Sequence, residues 1–172
     1  APRAWIGGFR DGARAESQLR QGRGWHPYVG YLGGAAVSVA LAALIGGAAG
    51  VLALLAIAAY AQAQLLLSDY VQHYGLRRRE IAPGKYEPVG PQHSWNAPQS
   101  FSSALMLNAP RHSDHHAHPA RPYPGLDLDR ERMPILPHSL PVMAVIALVP
   151  PLWRRLMDRR ARKWHRPEPA YG

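Results

Sequence analysis

Residues 28–72 read YVGYLGGAAVSVALAALIGGAAGVLALLAIAAYAQAQLLLSDYVQ, and from Gly24 to Ser68 there is no Asp, Glu, Lys or Arg. One helix across a hydrocarbon core needs ~20 residues, so this stretch is far too long for a single crossing. Gly46-Gly47-Ala48-Ala49-Gly50 offers a break, which predicts two transmembrane helices near 28–46 and 50–72. The competing reading, a buried soluble hairpin, fits poorly with so long a run without charge. Both ends of such a hairpin fall on one side. Arg20 and Arg23 precede it and Arg77, Arg78 and Arg79 follow it, so the positive-inside bias places those ends in the cytoplasm. Gly33, Gly34, Ala35, Ala36, Gly46 and Gly47 allow close helix packing. They would equally leave room for a slender apolar substrate, and the residues do not choose between the two.

The second span ends in polar residues. Asp69 and His73 are four apart and share a helix face. Either alone reads as an interface residue. Together they look like a metal ligand and the carboxylate that fixes its tautomer and raises its basicity. Gly75 suits the helix C-terminus.

A second group of imidazoles lies in Arg111-His112-Ser113-Asp114-His115-His116-Ala117-His118-Pro119. At 100° per residue, His112, His115 and His116 fall within one ~100° arc of a helix surface. Three imidazoles on one face can hold a metal without cysteine, and the chain has none. The plainer alternative is a solvated His-rich tract that binds metal weakly or not at all. His93 and Asn96, upstream in His93-Ser94-Trp95-Asn96, are candidates for hydrogen bonds that orient the ligands or for purely structural ones, with His93 as a ligand itself the lesser reading. Asp114 is a further candidate for orienting a ligand.

The rest of the chain follows from these two features. The formal net charge is +9, but the basic residues flank apolar segments without interleaved aromatics. That is a membrane arrangement and not a nucleic-acid patch. Residues 1–27 are amphipathic, with Trp5, Ile6, Phe9 and Leu19 against Arg3, Arg10, Arg14, Arg20 and Arg23. They read as a cytoplasmic interfacial segment or as a helix packed on the domain. Residues 28–73 hold the two spans, and 74–172 form a loop-rich cytoplasmic cap with a short helix near Ser100–Leu107. The apolar run 140–149 is too short to span and either packs across the cap or dips into the interface, with Trp153, Arg154 and Arg155 at the headgroups. Arg159, Arg160, Arg162, Lys163 and Arg166 add an electrostatic membrane contact. The fold class is thus all-α integral membrane, a transmembrane helical hairpin plus a helical cap. With no initiating Met, the chain reads as the C-terminal part of a longer protein.

Five words occur here in a characteristic order: Asp69-Tyr70-Val71-Gln72-His73-Tyr74-Gly75-Leu76, Tyr86-Glu87-Pro88-Val89, His93-Ser94-Trp95-Asn96, the histidine run from Arg111 to Pro119, and Pro150-Pro151-Leu152-Trp153-Arg154-Arg155-Leu156-Met157-Asp158. Their order and spacing resemble the C-terminal half of the membrane-bound alkane hydroxylases, which are similar in fold to the membrane fatty-acid desaturases. The resemblance implies a non-haem di-iron monooxygenase of the bacterial inner membrane. It would hydroxylate the terminal carbon of medium-chain alkanes, drawn from the bilayer, with O2 and electrons from rubredoxin. By the same resemblance His73, His112, His115 and His116 are iron ligands. Gln72 and Ala109-Pro110 depart from the family's pattern, and its two earlier histidine boxes do not occur in this sequence. Four imidazoles do not fill two iron spheres, so the chain alone is expected neither to hold a stable di-iron centre nor to turn over. Metal affinity is expected to fall as pH drops below about 6.5. The alternatives are a fatty-acyl desaturase or hydroxylase of the same superfamily and a non-enzymatic, membrane-anchored metal-binding fragment.

Overall fold

The long apolar run becomes one long helical element in the computed structural model, which describes residues 2–20 and 24–164, without the side chains of 2–5. The side chains of Arg3 and Trp5, and the whole of Arg23 and Arg166, lie outside the described residues. In chain order the elements are α1 (Pro2–Arg20), α2 (Pro27–His73), β1 (Glu80–Ala82), β2 (Lys85–Tyr86), α3 (Ser100–Leu105), α4 (His112–Ala117), α5 (Leu140–Ala147) and α6 (Pro150–Arg162), with single 3-10 turns at Pro91–His93 and Tyr123–Gly125.

α2 is apolar on every side, the pattern of a membrane span or of a buried core helix. Its most apolar window has a mean hydropathy of 2.4, and it is the one described helix long and apolar enough to cross a membrane. Leu44, Ile45, Leu52 and Ile57 are all exposed, and burial begins only at Val71 and Gln72. The predicted break falls at Gly47, whose φ of 56° and ψ of −143° leave the helical region. Only glycine adopts that pair at little cost. Just beyond it, a Cβ on Gly50 would collide with the carbonyl oxygen of Ala42.

The chain packs as two units, residues 1–61 and 62–172. In the first, the Phe9 and Tyr28 rings lie 4.7 Å apart. His26 bonds the Ala13 carbonyl through Nε2 (3.0 Å) and accepts the Tyr28 N–H at Nδ1 (3.2 Å).

The second unit is built around the extended segment Ser94–Ala97. Trp95 N–H donates to the Gln72 carbonyl (2.7 Å), Asn96 N–H to Pro134 (2.8 Å) and Ala97 N–H to Pro110 (3.0 Å), while Leu136 N–H donates back to Asn96 (2.8 Å). One strand-like stretch thereby ties the end of α2 to the segments before α4 and before α5, and its backbone polar groups are satisfied as burial demands. Around it lie Val71, Trp95, Leu136, Leu140, Met143, Trp153, Met157 and Ala161. Trp153 is fully buried in this core and not at the headgroups as expected. It heads the stripe Trp153, Met157, Ala161, one residue per helical turn.

Two small devices position the rest. Gly75 ends α2 with φ 70°, and a Cβ there would approach the Ala161 methyl to 2.7 Å. The β1–β2 hairpin turns at Pro83-Gly84, with Gly84 at φ 71°.

Candidate metal centre

Three imidazoles converge where α2 ends. His73 comes from the last turn of α2, and His112 and His116 from one face of α4. His73 Nε2 lies 3.3 Å from His116 Nε2, which lies 2.9 Å from His112 Nε2. Ligand atoms of the three all fall within 4.8 Å of one another. A metal–imidazole bond of roughly 2.1 Å sets neighbouring ligand nitrogens about 3.0–3.4 Å apart, close to the His73–His116 and His116–His112 spacings.

The electrostatics agree. Burial first, then the neighbouring imidazoles, push His112 down from 6.5 to about 3. Burial and the His73 and His115 rings likewise lower His116. Neutral rings crowded nitrogen to nitrogen offer lone pairs that a cation satisfies and a second proton does not. Imidazole donors suit iron among the first-row metals. Because His112 resists protonation to about pH 3, proton competition at that nitrogen begins well below the 6.5 of a free imidazole.

His73 is oriented from its own helix. Its Nδ1 lies 3.0 Å from the Asp69 carboxylate and 3.0 Å from the Asp69 carbonyl. Donation from Nδ1 fixes the tautomer and leaves Nε2 free for the centre.

The other predicted residues are placed differently. His115 shares the α4 arc, but its ring stacks on Tyr123, 5.5 Å away at 21°, and lies 6.1 and 5.8 Å from the His112 and His116 rings. Asp114 faces away from the trio. It accepts from His118 Nδ1 (2.8 Å), Arg121 Nη1 (2.7 Å) and the Asp127 N–H (2.8 Å). Burial alone would raise its carboxyl, but these donors outweigh it and hold Asp114 below its ordinary value. His93 is buried, accepts the Gly90 N–H at Nδ1 (2.8 Å) and reaches Glu87 through Nε2 (3.0 Å). The Arg79 backbone N–H, ahead of His93 itself and the Arg79 guanidinium, keeps Glu87 ionised. His93 also lines a cavity of about 200 Å³ together with His73, Arg78, Ser94 and His116.

Asn96 is the anchor of α4. Its side chain is fully buried, and Oδ1 accepts the Ser113 N–H at 2.9 Å. Its Nδ2 lies 2.7 Å from Ser113 Oγ, 3.0 Å from the Ser94 carbonyl and 3.1 Å from the Pro134 carbonyl. Ser113 and Glu87 were not singled out in the sequence. Ser113 sits beside His112 in the first turn of α4, where a serine favours side chain to backbone bonds, and that is the available signal.

An apolar helix, long enough to cross a membrane, ends in one imidazole and is met by a short helix carrying two more, a histidine cluster that could hold a metal ion. A family profile described as fatty acid desaturase matches residues 2–147, and the chain belongs to that family. Its curated relatives include alkane 1-monooxygenase 1 of Alcanivorax borkumensis, 43% identical over 101 residues, which are 59% of this chain and 25% of that protein. Alkane 1-monooxygenase of Pseudomonas putida is 41% identical over 101 residues, again 59% and 25%. Alkane 1-monooxygenase 2 of A. borkumensis is 38% identical over 125 residues, 73% of this chain and 32% of that protein. The chain spans a quarter to a third of the length of these relatives.

Proposed function

We propose that this chain is the C-terminal portion of a non-haem di-iron alkane monooxygenase, with His73, His112, His115 and His116 as its share of the iron ligands. The observation that carries the reading is the meeting of His73 with His112 and His116 at the end of an apolar helix. The names and similarity of the relatives support the substrate class.

The two irons, when bound, supply the oxidant that no side-chain acid or base can provide for an unactivated C–H bond. The chain's residues do the rest. Asp69 holds His73 with Nε2 toward the centre, and Asn96 holds α4 through Ser113. His115, stacked on Tyr123, would be the fourth ligand this chain contributes. The small residues of α2 leave space for an alkyl chain arriving through the bilayer. The net conversion takes an alkane, O2, two electrons and two protons to the primary alcohol and water, and rubredoxin is the proposed electron donor.

The interruption at Gly47 and the approach of Gly50 to Ala42 support a transmembrane hairpin. The basic residues at its ends support a cytoplasmic cap on the inner membrane. Four imidazoles leave two iron spheres incomplete, so the chain by itself holds fewer than two irons tightly and does not turn over.

The test is iron analysis and an octane assay with O2 and reduced rubredoxin. It is run on the chain alone and on a longer polypeptide that adds the family's two other histidine boxes. Fewer than two irons and no product from the first, and 1-octanol from the second, are expected. Two tightly held irons on the chain alone would sink the fragment reading. A desaturated or hydroxylated fatty-acyl product instead of the alcohol would replace alkane oxidation with the acyl alternative.

A further inference from the structure

α5 and the turn after it contain no polar side chain: Leu140-Pro141-Val142-Met143-Ala144-Val145-Ile146-Ala147-Leu148-Val149-Pro150-Pro151-Leu152. Yet only one side is used. Leu140, Met143 and Ala147 are buried in the cap core. On the other side Val142, Val145, Leu148, Val149 and Leu152 stand 47–67% exposed. A helix apolar all round needs an apolar neighbour on each face. α6 continues the surface with the opposite character. Its stripe Trp153, Met157 and Ala161 is buried, and Arg154, Arg155, Arg159, Arg160 and Arg162 point outward.

The depth of this pair is set by α2. The Trp153 ring lies 5.6 Å from Tyr70 and 5.3 Å from Tyr74, and Tyr74 donates to the Asp158 carboxylate at 2.7 Å. α6 therefore crosses the end of α2 where the uncharged stretch gives way to Arg77, Arg78 and Arg79. An apolar ridge beside a row of arginines at that level matches the boundary between acyl chains and phosphates. A protein partner large enough to cover the ridge would also have to desolvate neighbouring arginines.

We propose that α5 and α6 form an in-plane membrane contact, the Val142–Val145–Val149 ridge dipping among the acyl chains of anionic lipid and the α6 arginines binding its phosphates. This rests on α2 lying in the bilayer and goes beyond it by assigning a second, peripheral lipid surface to the cap.

The chain has no cysteine, so single labels can be placed without background. Val145→Cys, Arg159→Cys and, as a control on the span, Leu55→Cys would each carry a nitroxide. The full chain is reconstituted in nanodiscs of phosphatidylglycerol and phosphatidylcholine. Collision with oxygen, which concentrates in lipid, is compared with collision with a nickel chelate, which stays in water. Positions 55 and 145 are expected to favour oxygen several-fold and position 159 to favour nickel. In Arg155→Gln/Arg159→Gln carrying the label at 145, or in phosphatidylcholine alone, the oxygen preference at 145 should fall at least two-fold.

If 145 favours nickel while 55 favours oxygen, the inference is overturned and the span stands. Low collision with both reagents at 145 means a protein cover and overturns it too. An unchanged ratio after loss of the arginines removes the phosphate contact. Nickel access at 55 overturns the inference together with the span.

Discussion

His73 and His116 face each other with their Nε2 atoms 3.3 Å apart, although 43 positions separate them in the chain. The His73 ring also lies 5.0 Å from that of His112. Replacing His116 by Asn should lower affinity for a divalent probe such as cobalt by at least ten-fold. Replacing His118, which bonds Asp114 instead, should leave affinity within about two-fold. Cobalt titration followed by its visible absorption measures both, and equal losses would contradict the assignment of the trio.

Asp69 acts on the centre through His73. Asp69→Asn keeps the shape but lets the amide present either a donor or an acceptor to Nδ1, so the ring loses its fixed tautomer. The expected loss in metal affinity is about 10–100-fold, with little change in thermal stability because the carboxylate is largely exposed. A variant that melts far lower but binds metal normally would show a structural role alone.

The Asn96 side chain binds one backbone N–H and reaches three acceptors while fully buried. Asn96→Ala orphans several of these groups and should destabilise the second unit by about 2–4 kcal/mol. Asn96→Asp keeps the acceptor for Ser113 N–H but brings an uncompensated charge toward carbonyl oxygens, and should be no better. Denaturant unfolding in detergent, followed by tryptophan emission, reads both. A loss under 0.5 kcal/mol, roughly what an ordinary surface change produces, would refute the anchor.

Stability of the metal-free chain should depend on pH through His112. Its folded value near 3 lies below the ordinary 6.5. Between those limits the unfolded chain binds a proton that the folded chain refuses, so stability falls as pH falls from 6.5 toward 3. At pH 5 the loss is at most about 2 kcal/mol, and His116, shifted in the same direction, adds to it. The difference in melting temperature between pH 7 and pH 5 should shrink in His112→Gln. A difference equal to wild type would contradict the assignment.

Tyr74 gives the opposite slope at high pH. Its hydrogen bond to Asp158, then burial and the carboxylate charge, raise the phenol from 10 to about 12. The unfolded phenol ionises first, so stability is lost as pH rises from 10 to 12. Absorbance at about 295 nm should show one late-titrating tyrosine in the wild type. It should be missing in Tyr74→Phe, which costs about 1 kcal/mol for the lost bond.

Local features were legible in the sequence. The break at Gly47, the Asp69–His73 pair and the short helix after Pro98 each rest on spacings of a few residues. What was missed depends on distant partners. Trp153 followed by two arginines looks like an interfacial belt, but the repeat Trp153, Met157, Ala161 buries it in the cap. His115 occupies the correct arc of a helical wheel, yet the wheel is blind to Tyr123, which draws the ring aside. The β1–β2 hairpin is too short for any periodicity to register. Asn96 is legible as a hydrogen-bonder, but not its partners, because Ser113 and Pro134 lie 17 and 38 positions away.

The knot at Asn96 decides what aims the short histidine helix. Its bonds run to Ser94, Ser113 and Pro134, so the bearing of His112 and His116 rests on contacts within the protein. A cation arriving there would meet donors already pointed at it, in contrast to small zinc domains that fold only when loaded.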